Sequence, residues 1–143
     1  MEVAIIILIG NISVSFILTG IIWVIQIVHY PSFHYTGEKN FSVYHQFHTQ
    51  RISLLVVPLM LIELITSVVL TLFEKLPALL TYSSLACVLL IWTVTFLLQV
   101  PVHNKLSAGY NKQQVNKLVA GNWFRTILWS LKAILGIMLL IHH

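Results

Sequence analysis

Residues 3–28 read VAIIILIGNISVSFILTGIIWVIQIV, a run without one charged side chain. A hydrocarbon core about 30 Å thick is crossed by roughly 20 apolar residues in a helix, so this stretch predicts a membrane span. Three further runs have the same character. Residues 52–73 contain Pro58 and Glu63, residues 76–100 carry no charge, and residues 123–141 contain Arg125 and Lys132. The composition agrees: 58% of the residues are hydrophobic, 8% are charged, and the mean hydropathy is +0.91. A soluble domain carries about 25% charged residues. A chain this poor in charge cannot cover a soluble surface, so lipid is its expected solvent. At 143 residues it reads as a single all-α membrane domain, 1–143, of four transmembrane helices.

The N-terminus lacks a basic segment ahead of its apolar run, and that run exceeds a signal-peptide core. It reads as a retained helix. The single cysteine, Cys87, excludes an intrachain disulfide and reads as a small apolar side chain. The formal charge of +4 comes from residues between or beside the spans. It predicts membrane orientation rather than nucleic-acid binding.

The linkers are unequal. Glu74, Lys75, Leu76 and Pro77 make a tight turn between the second and third spans, with Pro77 suited to a helix start. Residues 29–51 and 101–122 make the other two connections. Each opens on a proline, Pro31 or Pro101, expected to break the helix. Each contains a glycine, Gly37 or Gly109, and then regains helical spacing: Phe41, Tyr44, His45 and His48 in one, Val115, Leu118, Val119 and Asn122 in the other. Each predicts an interfacial helical segment running into the next span. Lys39, Arg51, Lys105, Lys112, Lys117 and Arg125 lie on or beside this face. The positive-inside rule then places the long loops in the cytoplasm and both termini outside. His142 and His143 receive no role.

His29 and His103, Arg51 and Arg125, and His48 and Asn122 are each 74 positions apart. The chain therefore reads as an internal repeat, about 3–73 and 76–143, of two tandem helical hairpins. Such parallel repeats bring equivalent side chains together near an axis along the membrane normal. Polar groups at a membrane face are costly without partners, so a recurring set marks a candidate site.

Several chemistries fit that set. Imidazoles are common metal ligands, and His45 and His48 share a helix face, so His29, His45, His48 and His103 form a candidate metal group. The ordinary reading is that interfacial histidines bond water, lipid or backbone. Haem held between His29 and His103 also suits two facing helices, and no cofactor at all remains a third option. Arg51 and Arg125 stand at helix starts, where the macrodipole disfavours a cation. They either snorkel to lipid phosphates or point inward to clamp an anion or an enolate-like oxygen. Asn104 and Asn122 are placed to orient a carbonyl or an imidazole. Trp23, Tyr30, Phe33, Trp123 and Trp129 either wall a flat ligand or form the interfacial aromatic belt. Glu63 and Lys132 lie deep in their spans and form a candidate intramembrane charge pair, structural or proton-carrying.

Pro101-Val102-His103-Asn104-Lys105-Leu106, followed by Asn122-Trp123-Phe124-Arg125-Thr126 at the start of the last span, resembles the anthrone-oxygenase-like family of small four-helix membrane proteins. That family has P-x-N-x-x-L after its third helix and H-x-x-R opening its fourth. Pro101, Leu106 and Arg125 fit. His103 stands where the family has Asn, and Asn122 where it has His; His48 and Arg51 carry the H-x-x-R form in the first half. The resemblance implies oxidation of a reduced aromatic ring to a quinone with molecular oxygen. It further implies that His29, His48 or His103 removes a C–H or phenolic proton, while Arg51 or Arg125, with Asn104 or Asn122, holds the enolate oxygen. The expected function is a membrane oxidoreductase acting on a lipophilic aromatic or quinone-like substrate. The alternatives are a non-enzymatic carrier, complex subunit or lipid-binding scaffold, and a haem- or metal-binding electron carrier. Expected partners are the bilayer, a lipophilic small molecule and a second copy of the chain, with no nucleic acid.

Overall fold

A computed structural model describes residues 2–142; Met1 and His143 lie outside the described residues. The chain forms four long helices: α1 (Glu2–Tyr35), α2 (Glu38–Leu70), α3 (Ala78–Leu106) and α4 (Lys112–Ile141). Each is long and apolar enough to cross a membrane. Helix α1 packs on α2 and α4, and α3 packs on the same two, so chain neighbours are also spatial neighbours and the ring closes between α1 and α4.

The distribution of side chains is the reverse of a soluble bundle. Ile6, Val24, Ile27, Leu54, Phe96 and Ile127 point outward, whereas Asn11, Gln26, Glu63, Gln99 and Lys132 are buried. Water would penalise that exterior, and hydrocarbon does not, so an integral membrane protein follows. Inside, an apolar cluster with Leu18, Ile22, Met60 and Trp129 lies towards the site described below. A second, with Leu8, Leu70, Leu76 and Leu139, closes the opposite end.

A polar layer separates the two clusters. Lys132 Nζ donates to Asn11 Oδ1 at 2.7 Å and to Ser15 Oγ at 3.1 Å. Ser15 Oγ donates to Glu63 Oε1 at 2.7 Å, and Trp129 Nε1 donates to Glu63 Oε2 at 3.0 Å. Asn11 Nδ2 also reaches Thr66 and Ser67 on α2. Glu63 and Lys132 thus share one network, as their depth in the sequence suggested, but Ser15 stands between them in place of a direct ion pair.

Two local expectations are corrected. Pro31 and Pro101 do not end their helices: α1 runs on to Tyr35 and α3 to Leu106. A π-helical turn precedes each proline, at Ile25–His29 and Thr95–Gln99. There the Tyr30 amide bonds to the Ile25 carbonyl and the Val100 amide to the Thr95 carbonyl, each five residues back. The extra residue shifts the hydrogen-bond ladder just where a proline ring meets the preceding turn, so the helix continues instead of stopping. Second, the helical spacing at residues 41–48 and 115–122 belongs to no separate segment. It forms the first turns of α2 and α4. At about 1.5 Å per residue, α2 is roughly 50 Å long and outreaches the hydrocarbon core.

The linkers follow their residues. Gly109 has φ +145°, a value side-chain-bearing residues rarely adopt, and Asn111 Oδ1 caps α4 by accepting from the Gln114 amide at 3.0 Å. Pro77 precedes the first residue of α3. At the α1–α4 crossing, a Cβ on Gly136 would sit 3.0 Å from Ile12 Cγ1. Gly136→Val is therefore expected to cost about 1–3 kcal/mol by overpacking. Ile12→Ala in the same chain should return part of that loss, measured as unfolding in mixed micelles of increasing SDS fraction.

Candidate functional site

The two π turns and the first turns of α2 and α4 meet at one end of the bundle. The π turns turn Gln26 and Gln99 inward, and both are buried. Gln26 Nε2 donates to the Val119 carbonyl at 3.2 Å, and Gln26 Oε1 accepts from Asn122 Nδ2 at 2.9 Å. Asn122 Oδ1 accepts from Arg125 Nη1 at 3.4 Å. Asn122 is thus wholly engaged by neighbours and positions Arg125 from behind.

Arg125 is 7% exposed. Its guanidinium lies 5.0 Å over the Trp129 ring. Its Nε is buried with no partner. The contacts holding this cation are with neutral groups, an arrangement that leaves charge available for an incoming oxygen.

The histidines form a row across the same end. Tyr30 Oη is 3.0 Å from His103 Nε2, and His103 Nδ1 is 3.0 Å from His45 Nε2. The rings of His29 and His48 are tilted by 31° with centroids 4.1 Å apart, and His48 lies 6.2 Å from His103. Phe33 and Phe41 pack edge and face against His45. The Nε2 atoms of His29 and His48 and the Nδ1 atom of His45 are buried without partners.

Two cavities flank α2 here. One, of about 670 Å³ between α1 and α2, is lined by His29, Tyr44, His48 and Arg51 beside apolar residues from Phe16 to Leu55. The other, of about 290 Å³ between α2 and α3, is lined by Tyr30, Gln99, His103 and Arg125 with Val57, Trp92 and Phe96 among its apolar walls. The polar set expected to share one pocket is therefore divided by α2. Because side chains radiate around a helix, one element feeds both sides.

The 74-residue spacing does not translate into equivalent places. Arg125 is buried, whereas Arg51 is exposed with its guanidinium 5.5 Å over the Phe47 ring. His29 closes its π turn at the position Gln99 occupies in the other, while His103 lies one turn beyond. Pro31 lies seven positions before Glu38 and Pro101 eleven before Lys112, so the second connection is four residues longer. Asn104 is exposed and lines, with Thr49, His103 and Ser107, a cavity of about 240 Å³ that shares Ser53, Val100 and His103 with the α2–α3 cavity. Its neighbour His103 points about 100° away around the same helix. Asn104 is therefore no part of the buried set.

Among the described residues no three His, Cys, Asp or Glu side chains converge as a metal-holding group. His45 Nε2 and His103 Nδ1 are spent on each other. The His48 ring centroid lies 4.1 Å from that of His29 and 6.2 Å from that of His103.

Tyr30 is the residue whose role the sequence concealed. It reads as one aromatic among many at a membrane edge, and only the π turn beside it shows that it points inward. The chain matches no protein-family model, and comparison with curated proteins and with solved structures returns no match, so the geometry of these side chains carries the functional argument.

Proposed function

We propose that the protein is an integral-membrane oxidoreductase of oxygenase type, acting on a lipophilic aromatic or quinone-like substrate that enters sideways from lipid into the α2–α3 cavity. One observation carries this reading. A buried guanidinium, held by neutral partners, lies in the wall of a mostly apolar lateral cavity. Such a cation stabilises negative charge as it develops on a substrate oxygen, most strongly where water is excluded. Val57, Trp92 and Phe96 supply apolar walls for a flat ring.

The anthrone-oxygenase-like resemblance supports the reaction class. In the proposed reaction an anthrone methylene loses its two hydrogens. One atom of molecular oxygen becomes the new carbonyl and the other leaves as water with those hydrogens. Arg125 holds the enolate oxygen formed on the way. The proposed topology places the 36–37 and 107–111 linkers in the cytoplasm, supported by Lys39, Lys105, Lys112 and Lys117 on that face. A carrier using Glu63 and Lys132 as its path is less well supported, because both are buried and bonded within the bundle.

The test is oxygen uptake and anthraquinone formation by protein in nanodiscs supplied with anthrone. The expected result is turnover above that of empty nanodiscs. Most of it should disappear in Ser53→Trp, which fills the α2–α3 cavity from an exposed position on α2. A rate equal to empty nanodiscs, or one untouched by Ser53→Trp, overturns the proposal.

A further inference from the structure

The hydrogen bonds around Tyr30 can be followed atom by atom. His45 Nδ1 is buried and unpartnered. A buried N–H without an acceptor is costlier than a bare lone pair, so the hydrogen of His45 belongs on Nε2. From there it is donated to His103 Nδ1 at 3.0 Å. With Nδ1 accepting, the hydrogen of neutral His103 lies on Nε2 and is donated to Tyr30 Oη at 3.0 Å. Arg125, a donor only, lines the same cavity as Tyr30. The Tyr30 oxygen therefore accepts the hydrogen bond from His103, and its own hydrogen needs an acceptor elsewhere.

Tyr30, His103 and Arg125 all line the α2–α3 cavity. We infer that Tyr30 presents its hydroxyl hydrogen to that cavity and is the group that selects a ligand carbonyl there, seated beside Arg125. This deepens the proposed function and rests on its choice of cavity and ligand class. It assigns Tyr30 a direct contact with the substrate oxygen. His103 and His45 become positioning residues that fix the direction of the tyrosine O–H. A site built around one donor rejects analogues that leave it unpaired.

The test uses 2-methyl-1,4-naphthoquinone carrying a carbon-13 label at the carbonyls, bound to the full chain in nanodiscs and read by difference infrared spectroscopy. In the wild type one labelled carbonyl band is expected to move to lower frequency on binding. In Tyr30→Phe that displacement should shrink while the quinone still binds, about tenfold more weakly, as loss of one hydrogen bond implies. His103→Phe, which removes the donor behind Tyr30, should also diminish it. Saturable quinone binding with the same displaced band in Tyr30→Phe overturns the role of Tyr30 and leaves the substrate class standing. Absence of saturable binding to the wild type overturns the substrate class and the tyrosine assignment together. Should Tyr30→Phe fail to fold, the wild type decides alone: naphthoquinone must bind at least about tenfold more tightly than the naphthalene lacking both carbonyls, and equal affinity overturns the inference.

Discussion

Glu63→Leu is expected to lower the stability of the bundle by about 3–5 kcal/mol, the cost of leaving a buried charge without its counter-group. Glu63 and Lys132 are both almost fully buried and joined through Ser15. Removing the carboxylate leaves the ammonium with Asn11 Oδ1 and Ser15 Oγ, neutral acceptors in a low-dielectric layer. It also leaves Trp129 Nε1 without its acceptor. Lys132→Leu alone should cost a similar amount for the reciprocal reason. The double variant Glu63→Leu, Lys132→Leu should recover most of the loss, since apolar packing replaces a buried pair at little net cost. Unfolding in SDS mixed micelles measures all three. Additive losses would show that the two groups do not share one network.

Arg125→Leu should reduce turnover about 10²–10³-fold, the usual consequence of removing a preorganised donor to a developing oxyanion. Arg51→Leu, by contrast, should leave turnover within about threefold, because an exposed guanidinium contributes little. Arg125→Lys should not restore the rate. An ammonium has no planar fork with which to meet Asn122 while lying on Trp129. The helical content of Arg125→Leu should match wild type, since replacing a buried cation by an apolar side chain does not require the bundle to open. Equal losses at Arg51 and Arg125 would instead restore the symmetric reading suggested by their spacing and would argue against a site confined to the α2–α3 cavity.

That contrast locates the limit of what spacing reveals. The residues 74 apart were legible as a recurring chemical set, but their directions were not. Arg51 and Arg125 each lie thirteen residues past the first residue of their helix, yet one is exposed at the rim of the α1–α2 cavity and the other is buried in the bundle. Each side chain's direction depends on the rotation of its helix, which packing against its two neighbours decides. The π turns are another case. Pro31 and Pro101 are visible as breakers, but a one-residue widening of the preceding turn cannot be told from a helix end by pattern alone. Those turns point Gln26 and Gln99 inward and place Tyr30 against His103.

By itself, the sequence determined the solvent, the helix class and the span count, because apolar runs of this length without charge are tolerated only as membrane helices. It also determined that Glu63 and Lys132 must find partners, because their depth makes isolation prohibitively expensive. Only the tertiary structure decided that Ser15 mediates between them. It alone divided the histidines and arginines between two cavities and gave Tyr30, rather than Asn104, a place beside Arg125. Hydropathy is a sum along the chain and survives without knowledge of geometry. Which atoms face one another depends on helix rotation, the π turns and a four-residue difference in linker length, and these act only once the helices have packed.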